Sequence, residues 1–393
     1  IGKWIGADAG AATVTRVVKA ASSSGHTFLD LDEGVEPDLE DKLAREKALA
    51  KWVKVVKEMG SHSKVYLEAK DPKELVEIVT DILATRATAT LKAREFAVGA
   101  YTRWARSGAL SPWPADEPQV YRYLQHLKRT GAAATKATSF VKALSFTNYL
   151  FGAKGDAAFF KTPRVQGAAW GMFLRKRLSI GRSPFTVSQV RALQVATMSK
   201  QVDVIDRLMA GLTCCLVACR LRYADAQRST KEPELDMSAE SFGYVEVFLN
   251  DTKATNAPRT KRLFRVAVGH AASLDGGSWA KEWLALRKAQ GIRADRCKCL
   301  MPAPDGNGGF RKRRLRSQEL LNWIRQHIDK MRLGVPGQIL GTHSSKATLL
   351  SWAGKYGLGK GDRRTLGYHT KSKDIQVNLY SRDAQAVPLR RLA

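Results

Sequence analysis

The sequence predicts a mainly α-helical protein with a small β-sheet, arranged as a helical domain followed by an α+β domain. Three observations carry this. From about Thr88 to Leu178 apolar residues recur at three- and four-residue spacing, the period of a helix with one buried face. Val204 to about Arg228 is a long, nearly continuous apolar segment and reads as one buried helix. Beyond it the period changes once: Tyr244 to Leu249 alternates, Arg262 to Val268 is strand-like, and a basic loop joins them.

Taken in order, residues 1–84 form an accessory segment, with an acidic stretch at Asp30–Asp41 and a helical pattern around Ala44–Met59. Part of it is expected to be disordered. Residues 85–182 read as a bundle of about four helices, with apolar stripes at Phe96, Ala100 and Trp104, at Tyr121, Leu124 and Leu127, and at Phe140, Leu144, Phe146 and Leu150. Pro112, Pro114 and Gly131 punctuate its loops. A polar joint, Ser179–Ser183 before Pro184, precedes a helix start at Val187-Ser188-Gln189-Val190, so the main boundary falls there and residues 183–393 form the last domain. In it, helices resume at Trp279–Gln290, Ser317–Met331 and from Thr342 onward. No internal repeat is visible.

The charge is far from balanced. The 393 residues hold 65 Lys/Arg against 37 Asp/Glu, a formal +28. The first 84 residues hold 12 basic and 15 acidic residues, so the excess lies entirely beyond them, 53 against 22. Such a surface needs a partner with a dense negative field, nucleic acid before a membrane surface. Leu208–Cys219, the longest nearly apolar run, is too short to span a bilayer. Five cysteines, three of them inside that run, make no disulfide framework and point to a reducing, intracellular setting. Cys297 and Cys299 lack a second pair at zinc spacing, so no metal site is predicted. Gly354–Lys360 fits G-x-x-x-x-G-K, but Gly361 stands where Ser/Thr would hold magnesium, and the segment follows a helix.

Four clusters carry polar chemistry. Arg220-Leu221-Arg222-Tyr223-Ala224-Asp225 ends the apolar helix. Lys253 follows the first hairpin strand. Thr342-His343-Ser344-Ser345-Lys346 opens a helix, with Thr342 as its N-cap and His343 and Lys346 on one face at the positive end. Leu366-Gly367-Tyr368-His369 precedes Leu379-Tyr380-Ser381-Arg382-Asp383. Singly, each has an ordinary reading: a surface ion pair, a solvated lysine, a helix start, a packed tyrosine.

Together and in this order, the clusters resemble the tyrosine recombinase family over roughly residues 88–393. Arg222 matches the first family arginine, with Arg220 as fallback. Lys253 matches the hairpin lysine, with Lys261 as fallback. His343 matches the histidine of His-x-x-Arg, Lys346 its arginine, His369 the later histidine or tryptophan, and Tyr380 the nucleophile. His343 precedes Tyr380 by 37 residues and Lys346 precedes His369 by 23, near the family's habit. Two departures stand out: lysine at 346 keeps the charge but loses the bidentate fork, and His369 lies eleven residues before Tyr380 where nine is usual. The ending Tyr380-Ser381-Arg382-Asp383 is similar to recombinases of DIRS-like retrotransposons and Cryptons.

The resemblance implies a helical core-binding domain and a catalytic domain clamping duplex DNA. It also implies a 3′-phosphotyrosyl intermediate, no metal, ATP or other cofactor, and a homotetramer on DNA. Lys128, Arg129, Lys136, Lys142 and Arg182 are the expected DNA contacts, and Val387-Pro388-Leu389 is expected to dock on a neighbouring protomer. A nuclear location is expected, with Arg311-Lys312-Arg313-Arg314-Leu315-Arg316 as a nuclear address or a phosphate contact. The alternatives are a catalytically dead, domesticated DNA-binding protein, which Lys346 favours, and a type IB topoisomerase-like enzyme, whose usual Ser-Lys-x-x-x-Tyr spacing is absent.

Overall fold

The computed structural model describes residues 36–152, 159–175, 181–237, 243–249, 266–368, 388–389 and 391. They form two compact units, residues 40–180 and residues 181–393, the latter grouped with 1–39. Among the described residues the protein is mainly α with small antiparallel sheets, and no helix is long and apolar enough to cross a membrane.

The first unit is all helical: α1 (Pro37–Met59), α2 (Lys64–Glu68), α3 (Pro72–Leu83), α4 (Thr88–Ser107), α5 (Glu117–Arg129), α6 (Thr135–Phe151) and α7 (Pro163–Leu174). Side-chain caps start several of them. Asp71 accepts from the Lys73 and Glu74 N–H groups, Asp116 from Gln119, and Thr162 from Val165. An aromatic knot holds α4, α5 and α6 together. Phe140 lies 5.0 Å from Tyr101 and meets the Tyr123 ring edge-on at 4.7 Å.

Two apolar stripes differ from expectation. On α4 the buried residues are Leu91, Val98, Tyr101, Thr102 and Ala105, while Phe96 is exposed. On α5 they are Val120, Tyr123, Leu124 and Leu127, and the Tyr121 ring instead lies under the Arg164 guanidinium at 4.0 Å. Spacing of strictly four residues on α4, or strictly three on α5, drifts around a 3.6-residue helix, so a stripe chosen either way leaves the buried face within two turns.

Residues 40–84, part of the segment read as accessory, share the bundle's core. Trp52 is fully buried, its indole N–H donating to Leu91 O at 3.1 Å and its ring 5.4 and 5.5 Å from Phe146 and Phe151. Charged residues of both signs along α1 surround an inner face of Ala48, Trp52, Val55, Val56 and Met59.

The second unit is built around a buried helix. Its elements are α8 (Val187–Met198), α9 (Val204–Ala218), α10 (Tyr223–Ala226), β1 (Glu234–Asp236), β2 (Tyr244–Phe248), β3 (Val266–His270), α11 (Trp279–Ala289), α12 (Ala294–Cys297), β4 (Pro302–Pro304), β5 (Phe310–Arg314), α13 (Ser317–Lys330), α14 (Thr342–Lys355) and α15 (Lys360–Leu366). Thr186 and Gln189 form a reciprocal capping box at the start of α8. Every residue of α9 from Leu208 to Val217 is buried. Gly211 permits this, because a Cβ there would lie 2.1 Å from the Trp283 ring on α11.

The apolar helix ends ten residues earlier than its composition suggests. Arg220 takes a left-handed φ of 51°, and the Leu221 and Arg220 N–H groups return to Leu216 O and Val217 O. This is the Schellman termination, usually made by glycine. The sheet β1-β2-β3 is antiparallel, with Val245 opposite Gly269 and Glu246 opposite Val268. A Cβ on Gly269 would fall 2.6 Å from the Ala218 carbonyl carbon, so glycine lets β3 press against the end of α9.

A second sheet, the hairpin β4–β5, was not foreseen. Prolines occupy its first strand, and Asp305 makes its turn by accepting from the Asn307 and Gly309 N–H groups. Its strand period decides the fate of the basic run. Arg311 and Arg313 point inward and are buried, Arg313 in a two-pronged pair with Glu319 at 2.7 and 3.0 Å, whereas Lys312 is exposed. Residues 311–316 therefore do not form a uniformly exposed basic peptide.

Of the last residues, 388–389 are described and pack on their own unit. Leu389 is buried among Tyr244, Val268, Ala353, Leu358 and Leu366, and Leu389 O lies 2.8 Å from His270 Nε2.

Because Trp52 joins residues 40–84 to the bundle, Trp52→Ala is expected to destabilise residues 40–180 by about 3–5 kcal/mol. Urea unfolding of the full chain, followed by hydrogen exchange in α4 and α6, measures this.

Candidate active site

Three segments far apart in sequence meet at the end of α9: residues 219–225, the first turn of α14, and the exit of α15. Arg220 is their centre and is fully buried. Its guanidinium donates to Ala218 O (2.7 Å), Val268 O (2.8 Å) and Leu366 O (2.9 Å), with Nη2 3.4 Å from the Tyr368 hydroxyl. A left-handed conformation costs a non-glycine residue about 1–2 kcal/mol, and charge-assisted bonds to three carbonyls offset it. The fallback arginine is thus structural, tying α9, β3 and α15 together.

Arg222, two residues on, points outward. Its side chain is 35% exposed and Nη1 lies 3.4 Å from Asp225 Oδ2. The neighbouring residue explains the orientation. Tyr223 turns inward, its hydroxyl donating to Leu315 O and accepting from Gln227 Nε2 at 2.8 Å. Burial pushes the Tyr223 phenol well above its usual range. The motif therefore alternates an anchored residue with a presented one.

Lys346 reaches the same place from α14. Gly341, not Thr342, is the residue before the helix: the Gly341 N–H donates to Ser344 Oγ at 3.0 Å, while Thr342 Oγ1 sits 3.4 Å from Ser317 Oγ. Ser344, Ser345 and Thr348 are buried, which turns Lys346 toward residues 366–368. Its ammonium donates to Gly367 O at 3.2 Å and lies 5.3 Å from the Tyr368 ring centroid. Burial first, and then the Arg222 and Arg220 charges, lower its pKa to about 8, against a smaller upward pull from Asp225.

His343, on the same turn as Lys346, is exposed. Arg182 is exposed and belongs to the second unit rather than to the bundle. Its side chain covers Gly341, where a Cβ would be 2.9 Å from Arg182 Cδ and Nε, beside the helix start that carries His343. Lys128 and Arg129 end α5 and Lys136 begins α6, so they flank one loop, with Lys142 further along α6; all four are exposed. Lys253, Lys261, His369 and Tyr380 lie outside the described residues. Tyr368, which no motif singled out, is the residue the structure adds. Its hydroxyl bonds Cys219 O and burial pushes its phenol above the usual range, so it is a packing group rather than a source of a free phenolate. Among the described residues no three His, Cys, Asp or Glu side chains converge as a metal-ligand set.

The chain matches no protein-family model and no curated protein. Solved structures do match. One is the crystal structure of a lambda integrase dimer bound to a COC′ core site, 15% identical, covering 78% of this chain and 94% of that one at a TM-score of 0.43.

A lysine with a lowered pKa is a charge the fold tolerates at a cost, and the sign follows from linkage. Below about pH 8 Lys346 is charged in both states and the burial cost is complete; above it the folded state sheds the proton and the cost fades. Lys346→Met is therefore expected to raise the thermal midpoint at pH 7 by about 2–4 °C. The gain should shrink toward zero by about pH 10, as thermal scans at both pH values would register.

Proposed function

We propose that this chain cuts and rejoins DNA through a tyrosine nucleophile, in the manner of a tyrosine recombinase or integrase. One observation carries the reading. Arg222 and Lys346, which the resemblance assigns to one phosphate-binding set, stand within electrostatic reach of each other, with Asp225 beside them, at the exit of α15 that precedes His369 and Tyr380 in the chain.

In this reading Tyr380 attacks a DNA phosphodiester. The phenolic oxygen forms a bond to phosphorus as the bond to the 5′-oxygen breaks, leaving a 3′-phosphotyrosyl link and a 5′-hydroxyl. A phenol of pKa about 10 needs a base, and His343 takes its proton. Arg222, Lys346 and His369 neutralise charge gathering on the nonbridging oxygens, generally the largest electrostatic contribution. Lys253 gives its proton to the departing oxygen. The transesterification keeps the phosphoester bond energy, so its balance calls for neither ATP nor a metal. Lys128, Arg129, Lys136, Lys142 and Arg182 hold duplex phosphates, and four protomers on DNA complete strand exchange. The Tyr380-Ser381-Arg382-Asp383 ending favours a mobile-element recombinase. A second reading, a catalytically silent DNA-binding protein, is favoured by Lys346 alone, since a lysine lacks the arginine fork.

Covalent capture decides between them. A randomised pool of nicked duplexes traps the intermediate when the 5′-hydroxyl fragment diffuses away. A protein–DNA band on a denaturing gel that disappears in Tyr380→Phe and falls at least 100-fold in Arg222→Ala is the expected result. Salt-sensitive binding without a band sinks the enzymatic reading. At subsaturating DNA, cleavage should decline above about pH 8 as Lys346 of the free protein loses its charge, and Lys346→Arg should push that decline to higher pH. In filter-binding titrations, changing Lys128, Arg129, Lys136 and Lys142 together to alanine should lower the log–log salt slope by roughly 3–4.

A further inference from the structure

The phosphate-facing cation of α14 is held by a residue outside the motif set. We propose that Tyr368 is a positioning residue, whose ring, fixed by Arg220 and by the Cys219 carbonyl, seats the Lys346 ammonium beside Arg222. The inference rests on the reading above, in which Lys346 meets the phosphate.

Two cations face the Tyr368 ring, Lys346 Nζ at 5.3 Å and Arg220 Cζ at 5.6 Å from its centroid. Both lie within the distance at which an aromatic face attracts a cation. The ring itself has little freedom. Its hydroxyl bonds Cys219 O, Arg220 Nη2 approaches that hydroxyl at 3.4 Å, and Arg220 is locked by three carbonyls. The two residues before it are held as well: Leu366 O accepts from Arg220, and Gly367 O accepts from Lys346. Tyr368 keeps this place despite a left-handed φ of 59°, a conformation unfavourable for a bulky residue and maintained only where surrounding bonds determine it.

A flexible lysine stem gains most from such a seat, because its four rotatable bonds otherwise scatter the charge. The groups facing the ammonium are Arg222 and Asp225 from α10 and its cap, Arg220 from the end of α9, and Tyr368. Burial and the two arginines oppose its charge, and Asp225 supports it. Without the ring's face the ammonium loses its seat and swings away from Arg222 toward solvent, so its proton affinity returns toward that of an ordinary lysine.

The test has two arms on the full chain. In the first, Lys346 is titrated without DNA by its rate of acetylation with acetic anhydride between pH 6 and 11, read by mass spectrometry. The wild type should show a midpoint near 8. Tyr368→Met, which keeps buried volume but loses the ring, should raise the midpoint by about one unit or more, and Tyr368→Phe should stay near wild type. An unchanged midpoint in folded Tyr368→Met overturns the proposal. Should that variant fail to fold, a Tyr368→Phe midpoint at the free-lysine value overturns it equally, since the ring would still be present.

In the second arm, capture rates on nicked duplex should fall at least 10-fold in Tyr368→Met, with duplex affinity unchanged within twofold. The same substitution should cost less than twofold in a Lys346→Ala background. Equal losses in both backgrounds would mean that Tyr368 acts through general structure and not through Lys346. Absence of cleavage by the wild type defeats the recombinase reading alone, because the titration arm still decides the seat.

Discussion

The second unit depends on how one buried guanidinium is satisfied. An arginine at the end of an apolar helix cannot lose its proton and is expensive to desolvate unless each donor finds an acceptor. Arg220 meets that demand by drawing carbonyls from three elements: Ala218 closing α9, Val268 on β3 and Leu366 ending α15. The left-handed turn that ends α9 aims the side chain back into the unit, and Gly269 lets the strand come close enough for its neighbour's carbonyl to be reached. Helix termination, sheet docking and the placement of α15 are thus one problem with one solution.

What the staple leaves outside is the pair of cations to which the proposed chemistry is assigned. With Arg220 and Tyr223 turned inward, Arg222 between them is forced toward solvent, where Asp225 pairs with it. With Ser344, Ser345 and Thr348 buried on α14, Lys346 projects to the exit of α15. The two presented cations converge because their anchored neighbours do. A small displacement of the staple would move both, which is why the anchored residues are as much part of the site's geometry as the presented ones.

Much of this was legible in the sequence and some was not, for identifiable reasons. The helices from 117 to 151, the joint before Pro184 and the strand at 244–248 follow from period and turn residues, which are local signals. Arg220 and Arg222 share a side of the same short motif, and only the backbone turn at 220 decides which is buried. The affinity of residues 40–84 for the bundle was masked because charge balance is read over the whole segment while burial concerns one helix face. The hairpin β4–β5 lacks a clean alternation because prolines fill its first strand. Tyr368 carried no motif, yet a signal was present: an arginine abutting an apolar run must be matched by acceptors elsewhere. The family resemblance could assign Lys253, His369 and Tyr380, but they lie outside the described residues, so their assignment rests on spacing alone.

The lysine at 346 is best understood through its neighbours. A third arginine beside Arg220 and Arg222 would fix three positive charges that no pH near neutrality can relieve. A lysine crowded by two arginines and partly desolvated can hold its proton loosely instead, with a pKa of about 8. An anion brought beside it opposes both causes of the shift, adding an opposite charge where like charges prevailed. The proton affinity of Lys346 and the affinity of this place for any such anion must then rise together, since linkage makes each the measure of the other. The substitution that weakens the likeness to the family's usual pattern therefore also gives the site a property arginine lacks: its charge is greatest when the anion is in place.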